Sequence, residues 1–337
     1  MSVLKSLLLA CCILLGTQSF AQENLKQNIS VHDPVMIKQG GTYYLFCTGF
    51  GISKWSSKDL INWKRDKPVF STAPQWAVDT IPNFKGHIWA PDISYYKGKY
   101  YLYYSVSAFG KNTSAIGVAT NTTLNEADPN YKWVDHGRVV QSYPNVTNWN
   151  AIDPNLIADE KGNAYLTWGS FWDGLKIAKL SEDRLSLTGS DKDFATIASR
   201  KKVKSEINPP AIDDNPKDAG GNAIEAPFIY KKGNYYYLFA SIDYCCKGER
   251  STYKMIVGRS KNILGPYLDD KGVDMARAGG KMLLQGNEKW HGVGHNAVVD
   301  ISGEDYLVYH AYDAEDKGIP KLQIKKLAWE QGWPEVK

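Results

Sequence analysis

Three carboxylates stand at the start of similar, strongly apolar segments of the chain: Asp33, Asp153 and Glu225. Carboxylates around a water-filled pocket can hydrolyse a glycosidic bond, because one donates a proton to the leaving oxygen while another activates water. A third carboxylate nearby can raise the proton affinity of the acid. These residue types therefore indicate hydrolytic chemistry, provided that the fold brings them together.

The segments belong to a pattern that the sequence repeats five times. Each copy has a polar or small head, four to six mostly apolar residues, a turn rich in Gly, Lys, Asn or Asp, and an aromatic-rich run. This pattern is typical of a β-hairpin. The copies recur about every 60 to 70 residues, which leaves room for four short strands and their loops. The sequence therefore predicts an all-β fold, a five-bladed β-propeller in a single domain.

A propeller explains how the carboxylates could meet. The innermost strand of each blade lines the central channel, and all of these strands run in the same direction. Three acids at equivalent positions of three repeats favour a functional site over three separate turns. The heads expected at one end of the axis are Asp33, the segment from Ala90 to Asp92, Asp153, Glu225 and His295.

Composition limits the class of partner. The chain has 40 Lys and Arg against 36 Asp and Glu, a net charge of +4, and no basic run, which argues against nucleic acid. Its 21 Tyr, 11 Trp and 10 Phe suit a β-rich protein, and exposed rings can stack on sugars. We find no GxGxxG, Walker or HExxH motif and no GxSxG elbow, so no nucleotide or organic cofactor is expected.

The first 21 residues predict a secretory signal peptide. Lys5 precedes an apolar run from Leu7 to Leu15, and Ser19 and Ala21 supply the small residues of a cleavage site. The run is too short to span a bilayer. We therefore expect cleavage near Ala21, a secreted or periplasmic protein without a membrane span, and one propeller domain over residues 22–337.

Three cysteines remain after the signal peptide: Cys47, Cys245 and Cys246. They are too few for a disulfide framework, and their spacing fits no zinc motif. The adjacent pair could close a vicinal disulfide in an oxidising compartment. Two reduced thiols are an equally good interpretation, so both stay open at this point.

The repeated segments resemble glycoside hydrolase family 43, and within it the arabinanases. The resemblance covers nearly the whole chain after the signal peptide. The carboxylate motifs are shared across the family, whereas "GSFWDG", "DYCCKGERSTY" and "GHNAV" are closer to arabinanases. The resemblance implies a five-bladed propeller, an inverting mechanism, a monomer, and the polysaccharide arabinan, a pectin side chain, as substrate.

The same resemblance implies a role for each polar head. Asp33 would be the general base, Glu225 the general acid, and Asp153 would raise the proton affinity of Glu225 and orient it. Inversion requires the base and acid carboxyls to lie about 6.5–9.5 Å apart. His295 would help hold a hydrated ion, taken as Ca²⁺, mostly through water because imidazole is not a usual calcium ligand. A histidine bonded to a carboxylate without metal is the alternative.

The resemblance also implies sugar-binding residues around the carboxylates, although each of them could equally serve packing. Trp89 would form an aromatic wall, whereas Asp92 would be structural. His87 departs from the arabinanase pattern and is expected to alter a subsite, and an insert at residues 204–223 is expected to rim the cleft. The other expected subsite residues are Phe109, Gly110, Asn150, Ile152, Ser170 and Phe171.

Three functions remain to be compared. The first is an endo-acting enzyme that cuts internal α-1,5-L-arabinofuranosidic bonds. The second keeps the chemistry in an exo-acting α-L-arabinofuranosidase or a β-xylosidase. The third is a non-catalytic sugar-binding propeller, which should lack at least one of the three acids. All three acids are present, which favours an enzyme.

Overall fold

The computed structural model describes residues 28–200 and 221–337. The predicted signal peptide, its cleavage site near Ala21 and most of the insert at residues 204–223 lie outside the described residues. The described part is almost entirely strand, with one six-residue α-helix, α1 (Gln75–Thr80). Among the described helices, none is long and apolar enough to cross a membrane. Short 3₁₀ turns cover Asp191–Asp193, Gly248–Arg250, Met275–Arg277 and Ala314–Asp316.

Five antiparallel sheets form the blades, so the five-bladed propeller predicted from the repeats is confirmed. Each repeat supplies the two innermost strands of one blade, as the hairpin pattern predicted. In chain order the blades contain β1 (Val35–Gln39), β2 (Thr42–Cys47), β4 (Ser53–Ser57) and β5 (Lys64–Arg65); β6 (His87–Tyr96), β7 (Lys99–Val106), β8 (Ser114–Asn121) and β9 (Val134–Ser142), with β3 (Gly49–Phe50) added at the edge of β6; β10 (Asn155–Ala158), β11 (Ala164–Trp168), β12 (Leu175–Lys179) and β13 (Ala195–Ala198); β14 (Ile224–Lys232), β15 (Tyr235–Ile242), β16 (Lys254–Ser260) and β17 (Lys281–Leu284); β18 (Trp290–Ile301), β19 (Glu304–Asp313), β20 (Ile319–Glu330) and β21 (Trp333–Val336).

The core lies between neighbouring blades. Successive residues of a strand face opposite sides of the sheet, so one strand can pack against both neighbours. On β7, Leu102 and Tyr104 join a buried cluster with Phe46 of the first blade. Tyr103, between them, joins a cluster with Leu166 of the third blade. The aromatic-rich runs therefore fill the spaces between blades.

The ring of blades is closed by the first described residues. Residues 29–31 lie beside the start of β20, where the Val31 N–H donates to the Pro320 carbonyl at 3.2 Å. In return the Leu322 N–H donates to the Ile29 carbonyl at 3.2 Å. Because His32 and Asp33 follow directly, this closure also anchors the first polar head to the fifth blade.

One residue at the head of each blade adopts a positive φ. The values are 52° at Asp33, 44° at Ala90, 59° at Asp153, 56° at Ala226 and 51° at His295. Such a backbone is uncommon outside glycine. Proline follows this residue in the first four blades. Glu225 lies one residue before its bent position, so the prediction that the three acids occupy equivalent positions is wrong for Glu225.

The bent residues are held by the second strand of the preceding blade. Their N–H groups donate to Thr48 (from Ala90), Ser105 (from Asp153), Ser241 (from His295) and His310 (from Asp33), at 2.9–3.1 Å. In the third blade this position is Gly169, which has no side chain. The N–H of Ala226 therefore donates to the Asp153 carboxylate instead, at 3.1 Å.

Candidate active site

The Asp33 carboxylate is surrounded by hydrogen-bond donors at the head of the first blade. The Thr48 hydroxyl donates to Oδ2 at 2.6 Å. Nδ1 of His32 lies 2.8 Å from Oδ1, and Nδ1 of His295 lies 3.1 Å from the same oxygen. Three side chains from two blades thus hold one carboxylate, which is only 8% exposed.

These contacts set the charge of Asp33. Burial by itself raises the pKa of a carboxyl, but the charges and hydrogen bonds of His32 and His295 outweigh it and hold the pKa of Asp33 well below its usual range. Burial lowers the pKa of His295, and the Asp33 charge more than reverses this, so that the pKa rises to about 9. Asp33 is therefore ionised near neutral pH, as a general base must be.

His310 supports Asp33 from behind. The Asp33 N–H donates to Nδ1 of His310 at 3.1 Å, so this ring carries its proton on Nε2. Burial, followed by the nearby His32, holds the pKa of His310 well below its usual range. His310 is thus a neutral acceptor that fixes the backbone of the base.

Asp153 is buried like Asp33 but lacks comparable donors. Its N–H donates to Ser105, and its Oδ2 accepts the N–H of Ala226, the residue after Glu225. Burial raises the pKa of Asp153 well above its usual range; His295 opposes this, and the Glu225 and Asp33 charges add to it. Asp153 and Glu225 repel each other when both are ionised. Asp153 therefore keeps its proton at a pH where an isolated carboxyl has lost its own.

Two hydroxyl groups hold Glu225. Ser170 donates to Oε2 at 2.5 Å, and Tyr253 donates to Oε1 at 2.6 Å. Burial and then the Glu225 charge raise the pKa of Tyr253 well above its usual range, so its hydroxyl stays protonated. Glu225 is half-buried and fixed at both oxygens, an arrangement that can aim a proton at a leaving group.

The predicted sugar-binding residues fall into two groups. Ser170 contacts Glu225 directly, and Phe171 beside it packs near Tyr244, with 5.9 Å between ring centroids. Trp89 is half-buried, and its ring N–H donates to His87 at 2.9 Å. Phe109 is 75% exposed, with Gly110 next to it in a loop.

Asn150 and Ile152, by contrast, are buried, at 3% and 7% exposure. Ile152 contributes its backbone carbonyl to the N–H of Gly169. Asp92 is also buried; it accepts hydrogen bonds from the side chain of Asn155 and the N–H of Leu156, which suits the structural role expected for it. Cys245 and Cys246 are joined as a disulfide, which resolves the alternative left open by the sequence.

Sequence reasoning missed several residues that contact the carboxylates. Thr48 and Tyr253 carry hydroxyls that bond Asp33 and Glu225, and His32 lies beside Asp33. A signal for Thr48 existed, because Ser105 and Ser241 occupy the same position of other repeats. Tyr253 lies outside the repeated hairpin, at the end of the segment "DYCCKGERSTY", which carries the resemblance to arabinanases but did not indicate a contact with Glu225.

The donor set around His295 can be tested against the expected calcium ion. Nδ1 of His295 faces Asp33, and Nε2 has no hydrogen-bond partner among the residues that the structure describes. Ca²⁺ prefers six to eight oxygen ligands. With a pKa of about 9 the His295 ring is protonated, so Nε2 is a donor that could face an ion only through water; this fits a hydrated ion and does not fit an ion held by a cage of protein ligands.

Comparisons with known proteins agree with this geometry. Residues 27–334 match the model of the glycosyl hydrolases family 43. The chain is 51% identical over 311 residues to an extracellular exo-alpha-(1->5)-L-arabinofuranosidase of Cellvibrio japonicus, which covers 92% of this chain and 87% of that protein. It is 44% identical over 311 residues to an extracellular endo-alpha-(1->5)-L-arabinanase of Bacillus subtilis, covering 91% of this chain and 88% of that protein. The structure of Cellvibrio cellulosa alpha-L-arabinanase complexed with arabinohexaose superposes with a TM-score of 0.86 and 50% identity, covering 93% of this chain and 96% of that one.

Proposed function

Because the chain belongs to glycosyl hydrolase family 43, we propose that it hydrolyses internal α-1,5-L-arabinofuranosidic bonds of arabinan with inversion. Its membership confirms the resemblance drawn from the motifs and makes it a glycoside hydrolase. The observation that carries the mechanism is the contrast between Asp33, whose oxygens face two imidazoles and a hydroxyl, and the buried Asp153, which lacks comparable donors and whose pKa burial raises.

In this mechanism Asp33 is the general base. An ionised carboxylate has about four acceptor sites. His32 and His295 occupy two on Oδ1, and Thr48 occupies one on Oδ2. Oδ2 therefore keeps one site for the water that attacks the anomeric carbon. That water transfers its proton to Asp33 as the new bond forms.

Glu225 is the general acid of the same step. It donates its proton to the oxygen of the departing sugar as the glycosidic bond breaks. Asp153, whose pKa burial raises, accepts the Ala226 N–H and so fixes the backbone that carries Glu225. Ser170 and Tyr253 fix the direction of the Glu225 side chain.

Exposed aromatic rings support an internal mode of cleavage. Phe50, on β3, and Phe109, in the loop after β7, both belong to the second blade and are 69% and 75% exposed. Tyr244, on the fourth blade, is 43% exposed and packs near Phe171. Exposed rings on the second and fourth blades can stack on sugars, as binding of a chain that continues past the site in both directions requires.

Exo-acting cleavage is the second candidate, because the 51% identical relative is named an exo-arabinofuranosidase. An exo enzyme and an endo enzyme can share every residue described around Asp33 and Glu225. They differ in whether the polysaccharide can extend past the site at both ends. The product profile separates the two candidates.

The proposal extends to location and cation. The similar relatives from C. japonicus and B. subtilis are named extracellular, which supports export after cleavage near Ala21, with residues 22–337 acting as a monomeric catalytic domain. We also propose that a hydrated Ca²⁺ lies near Nε2 of His295 on the propeller axis. Such an ion would supply positive charge beside the carboxylates.

The test is the product profile on linear, debranched α-1,5-arabinan, with Glu225→Gln as the control. We expect oligosaccharides of mixed length early in the reaction and none from the control. Arabinose or a single short product from the outset would show that the enzyme cleaves from a chain end, and would contradict internal cleavage. If the wild-type protein released nothing from arabinan, the proposed substrate would be wrong, and xylosides and branched arabinan would be tried next.

A further inference from the structure

A vicinal disulfide lies in the loop after β15, close to His32. It joins Cys245 and Cys246, which are half-buried and exposed. Cys246 has a φ of +67°, a backbone conformation that is uncommon outside glycine. A bond between adjacent side chains closes a small ring that includes the peptide between them. The ring therefore restricts the direction of the Cys246 N–H.

That N–H is the first link of a chain of contacts. It donates to the hydroxyl oxygen of Tyr312 at 2.8 Å. Tyr312, on β19, is 3% exposed, and its hydroxyl also lies 2.7 Å from Nε2 of His32. Sγ of Cys246 is 3.8 Å from the same ring nitrogen. The disulfide thus contacts His32 through Tyr312 and directly through sulfur.

His32 connects Tyr312 and the disulfide to Asp33, the proposed base. Its Nδ1 lies 2.8 Å from Oδ1 of Asp33, and its ring stacks on His310, with centroids 3.9 Å apart. A nitrogen so close to an ionised carboxylate must carry a proton. In the neutral ring Nε2 then accepts from the Tyr312 hydroxyl, and in the charged ring Nε2 donates to it. In both states Tyr312 holds the edge of the ring opposite Asp33.

We propose that the Cys245–Cys246 disulfide is a positioning element for the base carboxylate of Asp33, acting through Tyr312 and His32. The inference rests on the proposed function, in which Asp33 activates water. The base must keep its free Oδ2 site aimed at that water, and small displacements of a catalytic group cost rate more than affinity. The disulfide therefore acts on turnover without contacting the bond that breaks.

A metal site is the competing interpretation of the same residues. One donor atom from each of His32, Cys245 and Cys246 lies within 4.8 Å of the others. Metal ions bind cysteine as the thiolate. Sulfur atoms that are bonded to each other are not thiolates, so the oxidised pair favours positioning.

The first variant is Tyr312→Phe, which removes the shared hydroxyl and keeps the ring. We expect kcat on arabino-oligosaccharides to fall about tenfold, with KM unchanged within about twofold, because binding groups stay in place. The matched control is Tyr309→Phe, on the same strand and equally buried, which makes none of these contacts. The control should keep the wild-type kcat. Circular dichroism melting should show that both variants are folded at the assay temperature.

The disulfide is tested in the same assay. The double variant Cys245→Ala/Cys246→Ala, and the wild type treated with a phosphine reductant, should each lose about as much kcat as Tyr312→Phe. Combining the double variant with Tyr312→Phe should add little, because both changes break one chain of contacts. Reductant should not affect the double variant, and reoxidation should restore the wild type.

His32 provides a rescue comparison. His32→Asn keeps an N–H donor near the place of Nδ1, whereas His32→Leu removes it, so the Asn variant should retain several times more kcat. A merely structural role predicts equal losses for the two variants. Zinc-dependent activity that appears only after reduction would support the metal interpretation and contradict ours.

Two results would overturn the inference: wild-type kcat in Tyr312→Phe, or losses that multiply when the variants are combined. Failure of the wild type on arabinan would contradict the proposed substrate instead. The same variants are then compared on an aryl arabinofuranoside or xyloside that the wild type does hydrolyse. The two failures are therefore distinguishable.

Discussion

At the scale of single residues, burial does not decide which carboxyl is ionised. Asp33 and Asp153 are 8% and 6% exposed, yet their pKa values move in opposite directions. Asp33 has two imidazoles and a hydroxyl at its oxygens. Asp153 has a backbone N–H and carboxylate neighbours, so its burial is not offset. Hydrogen-bond donors and charges thus divide similar residues into a base and a proton-retaining group.

This division predicts opposite pH dependences of stability. Because the pKa of Asp33 is lower in the folded protein than in the unfolded chain, where it is about 3.9, ionised Asp33 stabilises the fold above about pH 4. This stabilisation is lost as the pH falls from about 3.9 towards the folded pKa. The raised pKa of Asp153 destabilises the fold as the pH rises above about 3.9, because only the unfolded chain ionises freely. We expect the stability of Asp153→Asn, relative to wild type, to grow between pH 4 and 7, by about 1.4 kcal/mol per unit of pKa shift. The stability of Asp33→Asn, relative to wild type, should decline as the pH rises, mainly below about pH 4, where the folded Asp33 is already ionised and the unfolded one is not.

Urea unfolding at several pH values measures both differences. Parallel stability curves for the wild type and Asp153→Asn would show that the pKa of Asp153 is not raised. The comparison needs no enzymatic activity, so it is independent of the substrate.

The hydroxyl partners of Glu225 predict an effect that depends on the leaving group. Ser170→Ala and Tyr253→Phe each leave one oxygen of Glu225 without its donor, so kcat on arabino-oligosaccharides should fall about tenfold or more. The loss should be smaller on a nitrophenyl arabinofuranoside, because nitrophenolate departs with little protonation. Steady-state kinetics on the two substrates measure the difference. Tyr267→Phe is the control, since that hydroxyl donates to the Ile263 carbonyl in the same blade. Equal losses on both substrates would argue against a role in proton donation.

At the scale of strands, each blade holds the polar head of the next one. Ser105, Ser241 and His310 in the second strands, and Thr48 directly after β2, accept the N–H groups of the bent residues. The exception is Gly169, whose missing side chain leaves the Ala226 N–H to Asp153. The missing side chain at Gly169 thus leaves the Asp153 carboxylate bonded to the backbone next to Glu225.

This arrangement predicts that Ser105→Ala is costly. The Asp153 N–H would be buried without a partner, which should lower the free energy of unfolding by about 1–3 kcal/mol. Ser94→Ala is the matched control, because the buried hydroxyl of Ser94 has no hydrogen-bond partner among the described residues. Chemical denaturation of both variants measures the contrast. An equal change in the two would show that the Ser105 hydroxyl does not support the bent residue.

The strands also show what the sequence could predict. The alternation of apolar residues and turns predicted the hairpins, because hairpin geometry is local. The one-residue offset of Glu225 was missed because the acids were aligned with each other, whereas the backbone aligns Ala226 with Asp33 and Asp153. Tyr253 directly precedes β16 and contacts Glu225 of β14 within the fourth blade, so this pair depends on how the loop between β15 and β16 folds.

At the scale of the whole molecule, no blade contains the site. Asp33, Asp153, Glu225 and His295 come from four blades, and they meet because the ring closes between residues 29–31 and β20. The repeat predicted this convergence, since equivalent strands of a propeller share one axis. It could not predict the hydrogen bonds that give the acids different charges. Those bonds depend on residues such as His32 and Thr48, whose roles emerge only from the packed structure.

The most direct test of this convergence is the anomeric configuration of the first product. Proton NMR at the earliest times of arabino-oligosaccharide hydrolysis reports it before mutarotation. If Asp33 activates water opposite Glu225, the α-linked substrate yields the β-anomer first. Accumulation of the α-anomer first would show retention and contradict the roles proposed for Asp33 and Glu225.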